Sequence, residues 1–158
     1  MEHLKTIHIG ADHAGFDLKE ELILHLHKQH YEVVDHGAYE FEEEDDFNDF
    51  VMPVAHSMIS DPESRGIIIG GSGQGEAMVA NRFPGVRAVV YYGGGETSTN
   101  DLSIITASRQ HNDANVLSLG ARFMSTEEAI EAVDIWLETE FSGEEKYARR
   151  IARLNDLK

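Results

Sequence analysis

Two hydrophobic rhythms alternate along this chain. Short apolar, β-branched runs at residues 4–10, 31–35, 67–69, 86–92 and 115–119 predict five strands. Between them the spacing lengthens to that of helices. Leu18, Leu22 and Leu26 recur at i, i+4 and i+8, which predicts a helix after the first strand. Further helices are predicted over 50–59, from 77 to 82, and over a segment ending near Gln110. Ser125-Thr126-Glu127-Glu128 reads as a capping box, with Ile130, Val133 and Leu137 on one face of the helix it starts and Trp136 beside them. A last helix, from about 143, carries Tyr147, Ile151 and Leu154 on one stripe and Lys146, Arg150 and Arg153 on the next. Strands that alternate with helices predict an α/β fold, a parallel sheet covered on both faces, in one domain over 1–158.

Ligands of such sheets bind beyond the C-terminal strand ends. Three polar turns follow predicted strands: Asp12-His13, the loop Gly71-Ser72-Gly73-Gln74-Gly75-Glu76, and the turn holding Arg122. The glycines let the backbone take positive φ and bring its N–H groups close to a ligand, so the loop can hold an anion or a developing oxyanion. Glu76 at its mouth suits a general base beside a carbonyl. The loop is not a P-loop, because Glu76-Ala77 stands where Lys-Ser/Thr is needed, and its glycines do not make the dinucleotide fingerprint. His111-Asn112 lies before the fifth strand, so folding must bring it round if it takes part.

Composition narrows the field. The formal charge of -16 excludes nucleic acid and anionic membrane as partners. No segment is long and apolar enough to span a membrane, and no leader is evident, which makes the cytoplasm the expected compartment. The chain has no cysteine, so disulfides, a thiol nucleophile and Cys-based metal sites are excluded. Glu40 to Asp49 carries seven acids without a calcium-loop pattern and reads as a solvated loop. His25, His27 and His30 do not share a helical face and read as surface histidines.

Gly10-Ala11-Asp12-His13-Ala14-Gly15, the glycine loop with Ala80-Asn81-Arg82, and Ser108-Arg109-Gln110-His111-Asn112-Asp113-Ala114-Asn115-Val116 resemble type B ribose-5-phosphate isomerases, a family that includes galactose-6-phosphate isomerase subunits. The resemblance runs over nearly the whole chain, in order. It implies a Rossmann-like three-layer α/β/α sandwich around a five-stranded parallel sheet. It also implies a homodimer or homotetramer with sites completed across subunits, the C-terminal helix of 143–157 reaching a neighbour. The implied reaction interconverts ribose 5-phosphate and ribulose 5-phosphate through a cis-enediolate, with no metal or organic cofactor. By resemblance Glu76 is the base, in place of the cysteine many members use. His111 opens the furanose ring, Asp12 orients hydroxyls or assists opening, and the loop from Gly71 to Gly75, with Ser72, Gly73 and Gln74, cradles the enediolate. Asn112 would bind sugar oxygens, and His13, Arg122, Lys146 and Arg150 the phosphate.

Two departures leave other readings open. Lys146-Tyr147 stands where the family usually has Arg-His, and the stretch from Tyr92 to Ala107 is longer by an insert, Gly93 to Asn100. Both fit an isomerase of a six-carbon or modified sugar phosphate. A non-catalytic phosphate- or nucleotide-binding module is the reading from another class; a carboxylate beside a phosphate speaks against it. Each residue also has a plain structural role available. Asp12 can cap a helix, His111 can be a satisfied half-buried histidine, Arg122 can pair with an acid, and the C-terminal cations can form a solvated face.

Overall fold

A computed structural model describes residues 5–93 and 102–157. It contains five strands, β1 (Thr6–Ala11), β2 (Glu32–Asp35), β3 (Arg65–Gly70), β4 (Ala88–Tyr91) and β5 (Val116–Gly120). The helices are α1 (Phe16–Lys28), α2 (Asn48–Ser60), α3 (Gln74–Ala80), α4 (Ser103–Gln110), α5 (Thr126–Glu138) and α6 (Glu145–Asn155). Single 3₁₀ turns at His13–Gly15 and Ala121–Phe123 follow β1 and β5. The strands are all parallel, in the order β2-β1-β3-β5-β4. The chain therefore winds outward from β1 to β2, returns to β3, and later inserts β5 between β3 and β4.

Strand alternation divides the core. Ile67, Ile69, Leu117 and Leu119 point to one face, where Leu18, Leu22 and Leu26 of α1 and Ala129, Ala132, Val133 and Trp136 of α5 cover them. Ile68 and Val116 point to the other, against Val51, Val54, Ala55 and Met58 of α2 and Ala80 of α3. The predicted sandwich is what forms. Its element ends shift by one to three residues, and one shift matters: α3 begins at Gln74, not Ala77, so Glu76 lies inside its first turn. The capping box at Ser125 is present, with Ser125 Oγ and Glu128 each bonded to the other's backbone N–H.

Helix α6 stands apart from this core. None of its residues is buried; Tyr147 and Ile151 are half-covered and Leu154 is exposed. Its predicted apolar stripe exists, but this chain does not bury it. A cleft of about 830 Å³ separates the end of α6 at Leu154, Asn155 and Leu157 from residues 81–89.

The α1 stripe carries the first core layer, so its truncation reads directly on stability. Leu22→Ala, at a fully buried position, should lower unfolding free energy by about 3 kcal/mol in a denaturant titration. A loss below about 1 kcal/mol would contradict this packing.

Candidate active site

Strand β3 delivers the centre of the site. Its last residue, Gly70, lies directly under the Glu76 carboxyl: a Cβ placed on Gly70 would overlap Glu76 Oε1. Only glycine leaves room for the side chain to fold back there. Gly73 sits at φ 75° and caps α3, a conformation that strains other residues. Ser118 Oγ donates to Gly73 O at 2.6 Å, which pins the loop to β5. Phe47 lies against the other side, close enough that a Cβ on Gly75 would stand 2.9 Å from its ring. Glu76 is 4% exposed. Burial pushes its carboxyl pKa up, and the nearby Asp12 charge adds to the rise, against the pull of its own backbone N–H. The result is a carboxyl group held out of water beside the glycine loop.

Strand β1 brings the second group to the same sheet edge. Asp12 caps the 3₁₀ turn that follows. Its Oδ1 accepts from the N–H groups of Ala14 at 3.0 Å and Gly15 at 3.4 Å. It is buried, and burial raises its pKa too. His13 follows, with Nδ1 2.7 Å from Asp45 Oδ1. That hydrogen bond, with burial opposing it, raises the imidazole pKa above its ordinary value. Arg122, after β5, packs over Gly71, where an added Cβ would stand 3.2 Å from Nη1, and its backbone N–H donates to Gly71 O. Among the described residues its guanidinium forms no ion pair with any acid. His13, Arg122 and the glycine loop thus lie on the sheet edge that carries the Glu76 carboxyl, an arrangement that could hold an anion.

His111 and Asn112 are on the opposite edge. They form the turn between α4 and β5, and Arg87, just before β4, donates to the carbonyls of Asn112 and Asp113. Because β3 and β5 pair with Gly66 beside Val116 and Gly70 beside Gly120, that turn lies at the N-terminal end of the sheet. About four strand residues, roughly 13 Å, separate it from the Glu76 edge before any loop is counted. Within one chain the sheet therefore sets His111 and Glu76 at opposite ends, so folding of a single chain does not bring His111 round. His111 instead stacks on Tyr147 of α6, ring centres 4.4 Å apart. Lys146 Nζ and Arg150 press on the same Tyr147 ring at 4.8 and 5.9 Å. So His111, Lys146 and Arg150 form a second cluster of their own.

A family model described as ribose/galactose isomerase matches residues 7–154. The chain belongs to that family. It is 35% identical over 147 residues to ribose-5-phosphate isomerase B of Mycolicibacterium paratuberculosis, covering 92% of this chain and 86% of the relative. It is 39% identical over 140 residues to ribose-5-phosphate isomerase B of Escherichia coli, covering 89% and 88%. Among solved structures, ribose-5-phosphate isomerase B of Mycoplasma genitalium with bound ribulose 5-phosphate superposes with a TM-score of 0.87 at 35% identity, over 97% of this chain and 96% of that one.

In this family member the two clusters divide the expected site residues. Glu76, Asp12, His13, Arg122 and the loop residues Gly71, Ser72, Gly73, Gln74 and Gly75 share one edge of the sheet; His111, Asn112, Lys146 and Arg150 share the other. The insert of Gly93 to Asn100 has residues 94–100 outside the described ones. Sequence reasoning missed Asp45, which it placed in a solvated acidic loop. Glu40, Glu42, Glu43, Glu44, Asp46 and Asp49 are indeed exposed, but the Asp45 side chain is only 9% exposed. The neglected signal was Phe47, an apolar residue within the run that packs against Gly75. Phe41 meets the rings of His13 and Phe16 edge-on at 6.2 Å. Of the surface histidines, His25 is bonded to Asp134 at 2.7 Å, while His27 and His30 are exposed. Asp12, His13 and Asp45 gather one polar atom each within 4.8 Å. The imidazole nitrogen concerned is spent on the 2.7 Å hydrogen bond, so the trio reads as a bonded acid–imidazole pair beside a capping aspartate.

Two outcomes follow from the Glu76 environment. Gly70→Ala should displace the carboxyl and cut turnover about a hundredfold with far-UV circular dichroism unchanged; near-parental turnover would mean that the carboxyl position is not critical. The second concerns pH. The folded pKa of Glu76 lies above its unfolded value, so the native state holds the proton more tightly between the two. Stability from this group is greatest below the unfolded pKa and falls as pH rises through the folded one. Glu76→Gln should therefore be the more stable protein at pH 8, with the gap closing below about pH 4, as read by unfolding midpoints. A gap of the opposite sign would mean a stabilised carboxylate.

Proposed function

We propose that this protein is an aldose–ketose isomerase that interconverts ribose 5-phosphate and ribulose 5-phosphate through a cis-enediolate. The observation that carries this reading is one buried carboxyl group, Glu76, lying on Gly70 beside a glycine cradle, with the His13 ring and the Arg122 guanidinium alongside. A sugar phosphate needs these three things together: an anion site at one end, a base over C1 and C2, and donors for the oxygen on which charge develops. Membership in the family, and relatives named for this reaction over most of their length, support it. So does a relative that holds ribulose 5-phosphate.

In this mechanism Glu76 takes the proton from C2 of the opened aldose and returns it to C1, while the O2 hydroxyl proton passes to O1 so that the carbonyl moves from C1 to C2. Its raised pKa suits that exchange, because an acid titrating nearer neutrality both accepts and gives back the proton readily. The N–H groups of residues 71–75 stabilise the enediolate oxygen; losing one such donor costs about two orders of magnitude in rate. Asp12 orients the hydroxyls. His111 opens the ring, Asn112 binds sugar oxygens, and Lys146 and Arg150 join His13 and Arg122 around the phosphate. The sheet separates these groups within one chain, so the working site takes the His111 cluster from a second copy, in a homodimer or larger even assembly. The uncovered stripe and cations of α6 are what such a neighbour would meet.

Subunit mixing tests both halves of this reading. Glu76→Gln and His111→Asn should each abolish ketose formation from ribose 5-phosphate. A purified heterodimer of the two variants should recover about half the parental activity, since one of its two sites has both groups intact. No recovery on mixing would mean that the groups do not meet across subunits. Activity that persists in either variant would remove that residue from the mechanism.

A second reading, a six-carbon or modified sugar phosphate as substrate, draws on the Tyr147 ring stacked on His111 under two cations. It alters the sugar end of the site while leaving the base untouched. A clear preference in kcat/KM for five-carbon over six-carbon aldose phosphates would reject it; the reverse preference would establish it.

A further inference from the structure

The acidic loop between β2 and α2 is held at three points. Ala38 N–H donates to Ala11 O and Ala11 N–H to Gly37 O, which carries the loop along the end of β1. Phe41 packs edge-on to Phe16 and His13. Phe47 closes on Gly75. Between the last two anchors Asp45 turns inward. Its Oδ1 accepts twice from the same residue, from the His13 backbone N–H at 3.1 Å and from His13 Nδ1 at 2.7 Å. Its Oδ2 is buried and has no partner among the described residues. A carboxylate with one oxygen unpartnered and out of water is costly unless a full positive charge stands next to it. His13 supplies that charge only as an imidazolium.

We propose that Asp45 is a positioning residue for substrate phosphate: it holds the His13 ring by Nδ1 and balances its charge, leaving the Nε2–H of an imidazolium for the phosphate. This rests on the isomerase reading above. The charged groups acting on His13 are Asp45 from the loop, Asp12 from its own turn and Arg122 from the turn after β5. The two acids favour the protonated ring and Arg122 disfavours it, and the Asp45 hydrogen bond is the largest influence. Asp45 does not repel the phosphate directly, because one oxygen is spent on His13 and the other is buried. A carboxylate that looks out of place near an anion site thereby keeps a cation there over a wider pH range.

The test is Asp45→Asn, which keeps an acceptor for the His13 backbone but cannot balance an imidazolium. With ribose 5-phosphate, KM of the parent should stay low up to a basic limb set by His13. In Asp45→Asn that limb should move to lower pH, raising KM about tenfold at pH 8 and by less than about twofold at pH 6. Asp45→Glu should restore part of the shift. A profile that superimposes on the parent's, or a KM that falls at every pH because a repelling charge has gone, would overturn the proposal. A second measurement covers misfolding and needs no turnover. In parental protein labelled with ¹⁵N-imidazole, His13 should titrate above an ordinary histidine with Nδ1 protonated throughout, and inorganic phosphate should shift its Nε2 resonance. A His13 that titrates ordinarily, or an Nε2 indifferent to phosphate, would overturn the proposal. Failure of the parent to convert ribose 5-phosphate would reject the isomerase reading instead, leaving the imidazole titration to decide the pairing.

Discussion

A carboxylate forced out of water beside a chain that has given up its own side chain is the constraint on which this structure turns. Glu76 can lie against Gly70 only because no Cβ is there. The glycine at the end of β3 is thus a cavity one side chain deep, and the acid fills it. The rest of that sheet edge serves the same placement. Gly73 provides the left-handed cap that starts α3 early enough to put Glu76 in its first turn. Ser118 ties the loop to β5, and Phe47 shuts its outer side. Desolvation then gives the acid its tuned basicity without a dedicated charged partner.

The parallel sheet imposes the second constraint. Residues that follow strands collect at one edge and residues that precede them at the other. Glu76, Asp12 and Arg122 belong to the first class and His111 to the second, so no loop of this length reunites them inside one chain. The C-terminal helix repeats the message. It carries its own amphipathic stripe, buries none of it, and stacks Tyr147 on His111. A helix of this kind gains most of its stability from packing an apolar face, and here Tyr147 and Ile151 are only half-covered and Leu154 is exposed.

Much of this was legible from residue order. Short apolar, β-branched runs marked all five strands, period-3.6 spacing marked the main helices, and Ser125 and Glu128 announced their capping box. The glycine loop was legible as a strand-to-helix turn with an acid at its mouth, and that acid is buried against Gly70. The strand order was not legible: inserting β5 between β3 and β4 depends on packing by α4 and α5, which no local pattern encodes. The edge on which His111 ends up does not depend on that order: it follows from its place just before β5 in an all-parallel sheet. Asp45 was hidden for another reason. Seven acids in one loop look alike in sequence, and the one that turns inward is bonded to His13, a residue 32 positions earlier.

The central claim is that Glu76 itself carries hydrogen between C1 and C2. Turnover of ribose 5-phosphate in deuterium oxide measures it most directly, with deuterium at those carbons read by NMR. The account predicts carbon-bound deuterium in sugar recovered from the parent. It predicts none from Glu76→Gln, although that variant still binds the sugar phosphate with similar affinity. Exchange at the parental rate in the glutamine variant would contradict it.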